Sequence, residues 1–281
     1  MKNAHEATKV SEHTKHPLLN GLRRVANWML QPFGMGVRFR HDLVTLDKAT
    51  RFAYYWYNAK KKQDIRNAKG FGPLAKKTLE QGRTYLNYDR LYTLWQAIEQ
   101  LPDSAVTVAE VGAYKGGSAK FIAEALRWHN RDLPLYVFDT FEGHSTIDPA
   151  FDGKHQVGKQ FRSTSVEGVS KYLRKCPTVR IIKGDFRDTA HTLDDTGVTG
   201  FVHIDVDVYR VTKFCLEYFG SRMAAGGIIV VDDYGFRTTK GVWQAVEEFT
   251  KQRPDYYRIH LLTGQALLLR LEDRDITLSN V

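Results

Sequence analysis

Cysteine is nearly absent: Cys176 and Cys215 are the only two in 281 residues. Two thiols give neither a disulfide framework nor the spacing of a cysteine metal site, and they fit a reducing compartment. No apolar run approaches the roughly 20 residues that cross a bilayer. The segment Met1 to His16 is polar and has no signal-peptide core. No internal repeat and no low-complexity tract occurs. These absences set aside secreted disulfide scaffolds, membrane proteins and solenoids, so no membrane partner and a cytoplasmic location are expected.

Acidic excess is missing too. The net charge is +9, and all of it lies in residues 1–70, with 14 Lys/Arg against 5 Asp/Glu. The other 27 basic and 27 acidic residues cancel. Lys60-Lys61-Lys62 beside Tyr54, Tyr55, Trp56 and Tyr57 invites a nucleic-acid reading, but no recognisable binding module surrounds them. A solvated helical face beside packed aromatics is the simpler account, and no nucleic-acid partner is expected. An RNA-binding protein on an enzyme-like scaffold is the non-catalytic alternative.

With 42% hydrophobic residues the chain can bury a large core. Three regions are expected: residues 1–20 as a flexible terminus, 21–100 as a helical arm or lid, and 101–281 as the main α/β domain. Gly70-Phe71-Gly72-Pro73 reads as a break, and Asp89 to Gln100 as a helix packing Leu91, Leu94, Trp95 and Ile98. After Pro102, strands at 106–111, 135–138, 179–182, 201–204 and 228–231 alternate with helices. A hairpin at 257–262 and 266–271 closes the series. Residues 143–176 are less regular, with a loop and one helix. The pattern is that of an α/β, doubly wound, mostly parallel sheet.

Two of those strands end in acid. Phe201-Val202-His203-Ile204 runs into Asp205-Val206-Asp207, and Gly227 to Val231 runs into Asp232-Asp233. Consecutive parallel strands bring their carboxyl ends to one edge of the sheet. Carboxylates gathered there repel one another unless a cation or shared protons neutralise them, and a hard divalent ion is the simplest remedy.

The first strand leads into Glu110-Val111-Gly112-Ala113-Tyr114-Lys115-Gly116-Gly117-Ser118. Glycines let backbone amides approach a cofactor closely, but the spacing is not the dinucleotide GxGxxG. Glu110 would also repel a pyrophosphate. A cofactor with a cationic centre and no phosphate fits better, which points to S-adenosylmethionine held by Glu110, Gly112, Ala113, Tyr114, Gly116 and Ser118. Asp139, ending the second strand, either accepts the ribose hydroxyls or caps its own turn. Asp185 and Phe186 either receive and stack the adenine or simply cap a turn.

Taken in order, Glu110–Ser118, Asp139-Thr-Phe-Glu-Gly143, Gly184-Asp-Phe-Arg-Asp-Thr189, His203–Tyr209 and Gly226–Gly235 resemble the macrocin O-methyltransferase family over roughly residues 80–250. The resemblance implies a seven-stranded class I methyltransferase fold, S-adenosylmethionine, Mg2+ and a homodimer. The acceptor it implies is a hydroxylated small molecule, with the hydroxyl on a sugar or other secondary metabolite. It assigns the metal to Asp205, Asp232 and Asp233. A catechol or phenol acceptor is the alternative within the same chemistry.

Methyl transfer to an alcohol needs a proton acceptor. Asp207 leads, on the expectation that strand alternation puts it on the face of Asp205; metal-bound Asp205 competes. His203 has a suitable pKa but sits within a strand, where a core or supporting role is the alternative. His144 either reaches the acceptor or faces solvent. Tyr209 and Tyr234 either wall the site or pack in the core.

Overall fold

The computed structural model describes residues 65–271. The expected flexible terminus, the basic run at 60–62 and the aromatic run at 52–57 lie outside the described residues.

Short β-branched and aromatic runs form the strands, and helices with one apolar stripe connect them. In chain order these are α1 (Phe71–Glu80), α2 (Tyr88–Glu99), β1 (Thr107–Val111), α3 (Gly117–Trp128), β2 (Leu135–Asp139), α4 (Val166–Leu173) and β3 (Val179–Lys183). There follow α5 (Phe186–Thr189), β4 (Thr199–Ile204), α6 (Tyr209–Gly220), β5 (Met223–Val231), α7 (Lys240–Gln252), β6 (Tyr256–His260) and β7 (Ala266–Arg270).

The seven strands form one sheet in the order β3-β2-β1-β4-β5-β7-β6. β1 pairs in parallel with β2 on one side and β4 on the other, and β7 inserts antiparallel between β5 and β6. This is the class I methyltransferase topology. The strand order turns around at β1, so the crevice beyond β1 and β4 is where a ligand belongs in an open α/β sheet.

Period-2 alternation sends the two faces of the sheet into two cores. Val108, Val137, Phe201 and Val230 pack with α1, α2, α3 and α4. Ala109, Val111, Phe138, Val202, Ile204 and Ile229 pack with α5, α6 and α7. Phe71, Leu91, Leu94 and Ile98 are fully buried in the first core, so α1 and α2 share the hydrophobic interior of the sheet.

Three expectations are corrected. The glycine-proline break at 70–73 is the start of α1: Gly70 takes φ +81° before it, and Pro73 sits in the first turn, where a missing N–H costs no helical bond. β5 begins five residues earlier than expected, because Met223 pairs with Thr199 across a register shift despite the weak strand formers between. β4 ends at Ile204, so extended alternation does not carry Asp207 to the face of Asp205.

Candidate active site

At the carboxyl ends of β1, β2 and β4 lies a cavity of about 410 Å³. Its floor is the glycine loop. Gly112 takes φ +92°, and a Cβ there would meet the carbonyl oxygen of Asp205 at 1.9 Å. Only glycine lets the exits of β1 and β4 approach so closely. The amide of Asp205 in turn donates to the carbonyl of Val111 at 2.8 Å.

Asp139 ties the loop to β2. Its Oδ2 accepts from the amides of Ala113 (2.8 Å) and Tyr114 (2.7 Å), and its Oδ1 from Phe141 (2.6 Å). Burial raises the carboxyl's pKa, and these three donors pull it back. A carboxylate has about four lone-pair sites, so limited capacity remains for a ribose. Asp139→Ala is therefore expected to loosen the loop and weaken S-adenosylmethionine binding by about tenfold or more, on the scale of charge-assisted hydrogen bonds lost. Calorimetric titration with the cofactor checks it.

At the other end Asp185 caps α5 through the Arg187 amide (2.9 Å) and pairs with the Arg187 guanidinium at 2.7 Å. These contacts, with the Ser145 hydroxyl, hold its pKa below the usual value despite burial. Phe186 is 2% exposed, stacked on Phe219 with centroids 5.2 Å apart and edge-on to Phe138 at 4.8 Å. Both Asp185 and Phe186 line the cavity, as do Gly112, Ala113, Tyr114, Ser118 and Asp139.

Glu110 and Gly116 do not line it. Glu110 pairs in register with His203 on β4, on the sheet face away from Val111. Both side chains are fully buried, and His203 Nδ1 lies 2.9 Å from Glu110 Oε1. Burial disfavours an imidazolium, but Glu110, with Asp205 and Asp232 beyond it, outweighs burial and raises the histidine's pKa. His203 is thus a core partner of Glu110 and is not presented to the cavity.

The acidic wall comes from the ends of β4 and β5. Asp205, Asp207 and Asp233 each bring a carboxylate oxygen within 4.8 Å of the others, and all three line the cavity. Asp207 and Asp233 reach this position from left-handed backbone, φ 61° and 58°. Aspartate tolerates that region better than most residues, but such strain persists only where the surroundings enforce it. A turn therefore performs the convergence expected from strand alternation.

Burial and mutual repulsion push the pKa of Asp205 and of Asp207 well above the usual range, and that of Asp233 up to about 8. An all-oxygen set this reluctant to carry charge suits a hard divalent cation.

Asp232, implied as the third ligand, faces differently. It is 1% exposed, its Oδ1 accepts from Gln265 Nε2 at 2.8 Å, and its Oδ2 is paired with Arg90 Nη1. The same guanidinium lies 3.6 Å from Asp233 and donates to the Tyr85 carbonyl at 2.6 Å. Burial opposes its charge, yet Asp232, Asp205 and Asp233 together hold it charged beyond its ordinary range. Arg90 and Gln265 escaped the sequence reading. Arg90 lies in a helix legible only by its apolar stripe, and nothing local announces a partner 142 positions away.

The loop after β2 covers the wall. Asp152 anchors it by accepting from the Tyr209 amide at 2.8 Å. His144 is 8% exposed and lines the cavity, so the solvent-facing alternative falls away. Its Nε2 lies 3.2 Å from His155 Nδ1, whose Nε2 lies 3.1 Å from the Thr238 carbonyl. Burial, then His155, lowers the pKa of His144 to about 4, which leaves it neutral and a weak base near pH 7. At the mouth, Tyr85 stacks on Tyr114 with centroids 5.4 Å apart, and Phe161 meets both edge-on. Tyr209 and Tyr234 do not line the cavity; they hydrogen-bond Glu248 (2.8 Å) and Glu247 (2.5 Å).

Residues 39–259 match the family described as macrocin O-methyltransferase (TylF). The chain belongs to that family. Among curated proteins, this TylF-family chain is 28% identical over 166 residues to 8-demethyl-8-(2,3-dimethoxy-alpha-L-rhamnosyl)-tetracenomycin-C 4'-O-methyltransferase of Streptomyces olivaceus. It is 27% identical over 165 residues to demethyldecarbamoylnovobiocin O-methyltransferase of Streptomyces niveus. Each match takes in 54% of this chain and 62% of the relative, so the chain spans under two thirds of the curated proteins it matches. The solved O-methyltransferase NovP superposes with a TM-score of 0.56 at 22% identity, over 67% of this chain and 82% of that one. That likeness establishes the fold. Among the described residues of the TylF-family chain, no helix is long and apolar enough to cross a membrane.

Proposed function

We propose that this protein transfers a methyl group from S-adenosylmethionine to a hydroxyl of a sugar or glycosylated small molecule, with Mg2+ as resident cation. One observation carries the reading. The carboxylates of Asp205, Asp207 and Asp233 line the same cavity as the glycine loop, Asp139 and Asp185. Family membership and the sugar-modifying names of relatives support the acceptor class. A homodimer rests on the family resemblance, and the scarcity of cysteine fits a cytoplasmic setting.

Asp205 and Asp233 would hold the ion, with Asp232 as third ligand once it gives up Arg90. A bound divalent ion supplies Lewis acidity, lowering the pKa of the acceptor hydroxyl and orienting its oxygen. Asp207 takes the hydroxyl proton. The oxygen then attacks the methyl carbon opposite the sulfur, and S-adenosylhomocysteine leaves. His144, neutral on the cavity wall, orients the acceptor by hydrogen bonding. The aromatic mouth of Tyr85, Tyr114 and Phe161 offers flat surfaces for the apolar face of a sugar ring. It would equally accept a catechol, which is the second reading.

The test is a methyl-transfer screen over glycosylated metabolites, free sugars and catechols, in Mg2+ and in EDTA. Turnover of glycosides or sugars that EDTA abolishes and Mg2+ restores is expected. Turnover confined to catechols would move the assignment to the second reading, and turnover indifferent to EDTA would remove the cation from it.

A further inference from the structure

We infer that Arg90 is a built-in counter-cation that competes with the divalent ion for Asp232, and so sets how tightly the site holds metal. The inference rests on the metal reading above and adds a residue of α2 to it. The geometry is specific. One guanidinium, its side chain 13% exposed, is paired with Asp232, stands 3.6 Å from Asp233 and is fixed at its far side by the Tyr85 carbonyl. The other oxygen of Asp232 already accepts from the fully buried Gln265.

Like charges so placed exclude one another: a dication seated between Asp205, Asp232 and Asp233 would face Arg90 across a carboxylate. Loading therefore requires the Arg90–Asp232 pair to loosen. In the metal-free protein the same pair holds together carboxylates that would otherwise repel. The Arg90 bond to the Tyr85 carbonyl extends the consequence to the mouth of the cavity, because Tyr85 is 67% exposed there and is tied to the cluster through that bond.

Removing the charge should tighten metal binding while weakening the empty site. Arg90→Gln is expected to bind Mg2+, and Mn2+ as a second probe, about tenfold or more tightly by calorimetry, a modest share of the repulsion between a dication and a nearby unit charge. Its Tm in EDTA should fall below wild type, and its Tm gain on adding Mg2+ should exceed the wild-type gain, because a tighter ligand stabilises more at equal concentration. Arg90→Lys keeps the charge and should bind metal more weakly than Arg90→Gln. Unchanged or weaker binding by Arg90→Gln would overturn the inference, as would an equal Tm loss with and without Mg2+, the mark of a merely structural residue. If neither wild type nor variants bind Mg2+ or Mn2+, the metal reading fails, and this inference with it.

Discussion

Asp205→Ala is expected to lower methyl transfer by about a thousandfold or more, on the scale of losing a catalytic cation or its general base, while cofactor affinity stays near wild type. The asymmetry follows from position. Asp205 stands where β4 leaves the sheet, with its carboxylate in the acidic wall, whereas the loop amides that would meet the cofactor are held by Asp139. The variant should also be at least as stable as wild type without metal. Asp205 is a carboxylate whose ionisation is opposed by burial and by Asp232, so deleting it relieves repulsion. Single-turnover assays, cofactor calorimetry and thermal melting in EDTA together check this. Full turnover would remove Asp205 from the chemistry, and a collapse of Tm would make it a structural residue.

Gly112→Ala should damage the fold itself. At φ +92° an added methyl is conformationally strained, and the Asp205 carbonyl occupies its place, a backbone atom that cannot rotate away. Positive-φ strain alone costs about 1–3 kcal/mol, and the clash adds to it. A loss of about 3 kcal/mol or more in urea unfolding is expected, with transfer falling in whatever protein remains folded, because β1 and β4 must part to admit the methyl. Gly82→Ala supplies the control, since it shares a positive φ with nothing within 4 Å of the added carbon. If the two variants lose the same stability, the close approach at Gly112 is not what demands glycine.

The sheet was legible because each strand announces itself in a few residues. Phe201 to Ile204 and Ile228 to Val231 are apolar runs closed by acid, and parallel pairing makes their ends neighbours. That much of the site follows from topology. What topology cannot supply is which way each carboxylate faces. Asp207 arrives by a left-handed turn, Asp232 turns down towards Gln265, and Arg90 comes from a helix preceding the sheet. His203 shows the same limit. Alternation puts it on a core face, but its pairing with Glu110 depends on register between strands 93 residues apart. Its suitability as a base vanished with its access to the cavity. His144 was the reverse, an irregular-loop residue whose burial depends on Asp152 anchoring the loop to α6.

The two hydrogen-bonding partners of Asp232 come from widely separated parts of the chain, Arg90 from α2 ahead of β1 and Gln265 from the β6–β7 hairpin that follows β5. Local opening of that hairpin would take away the Gln265 donor and leave Asp232 to Arg90 alone, without unfolding the strands that line the cavity. Catalytic competence is thereby made hostage to the integrity of the sheet's antiparallel margin, and mild denaturant should silence transfer before it releases S-adenosylmethionine.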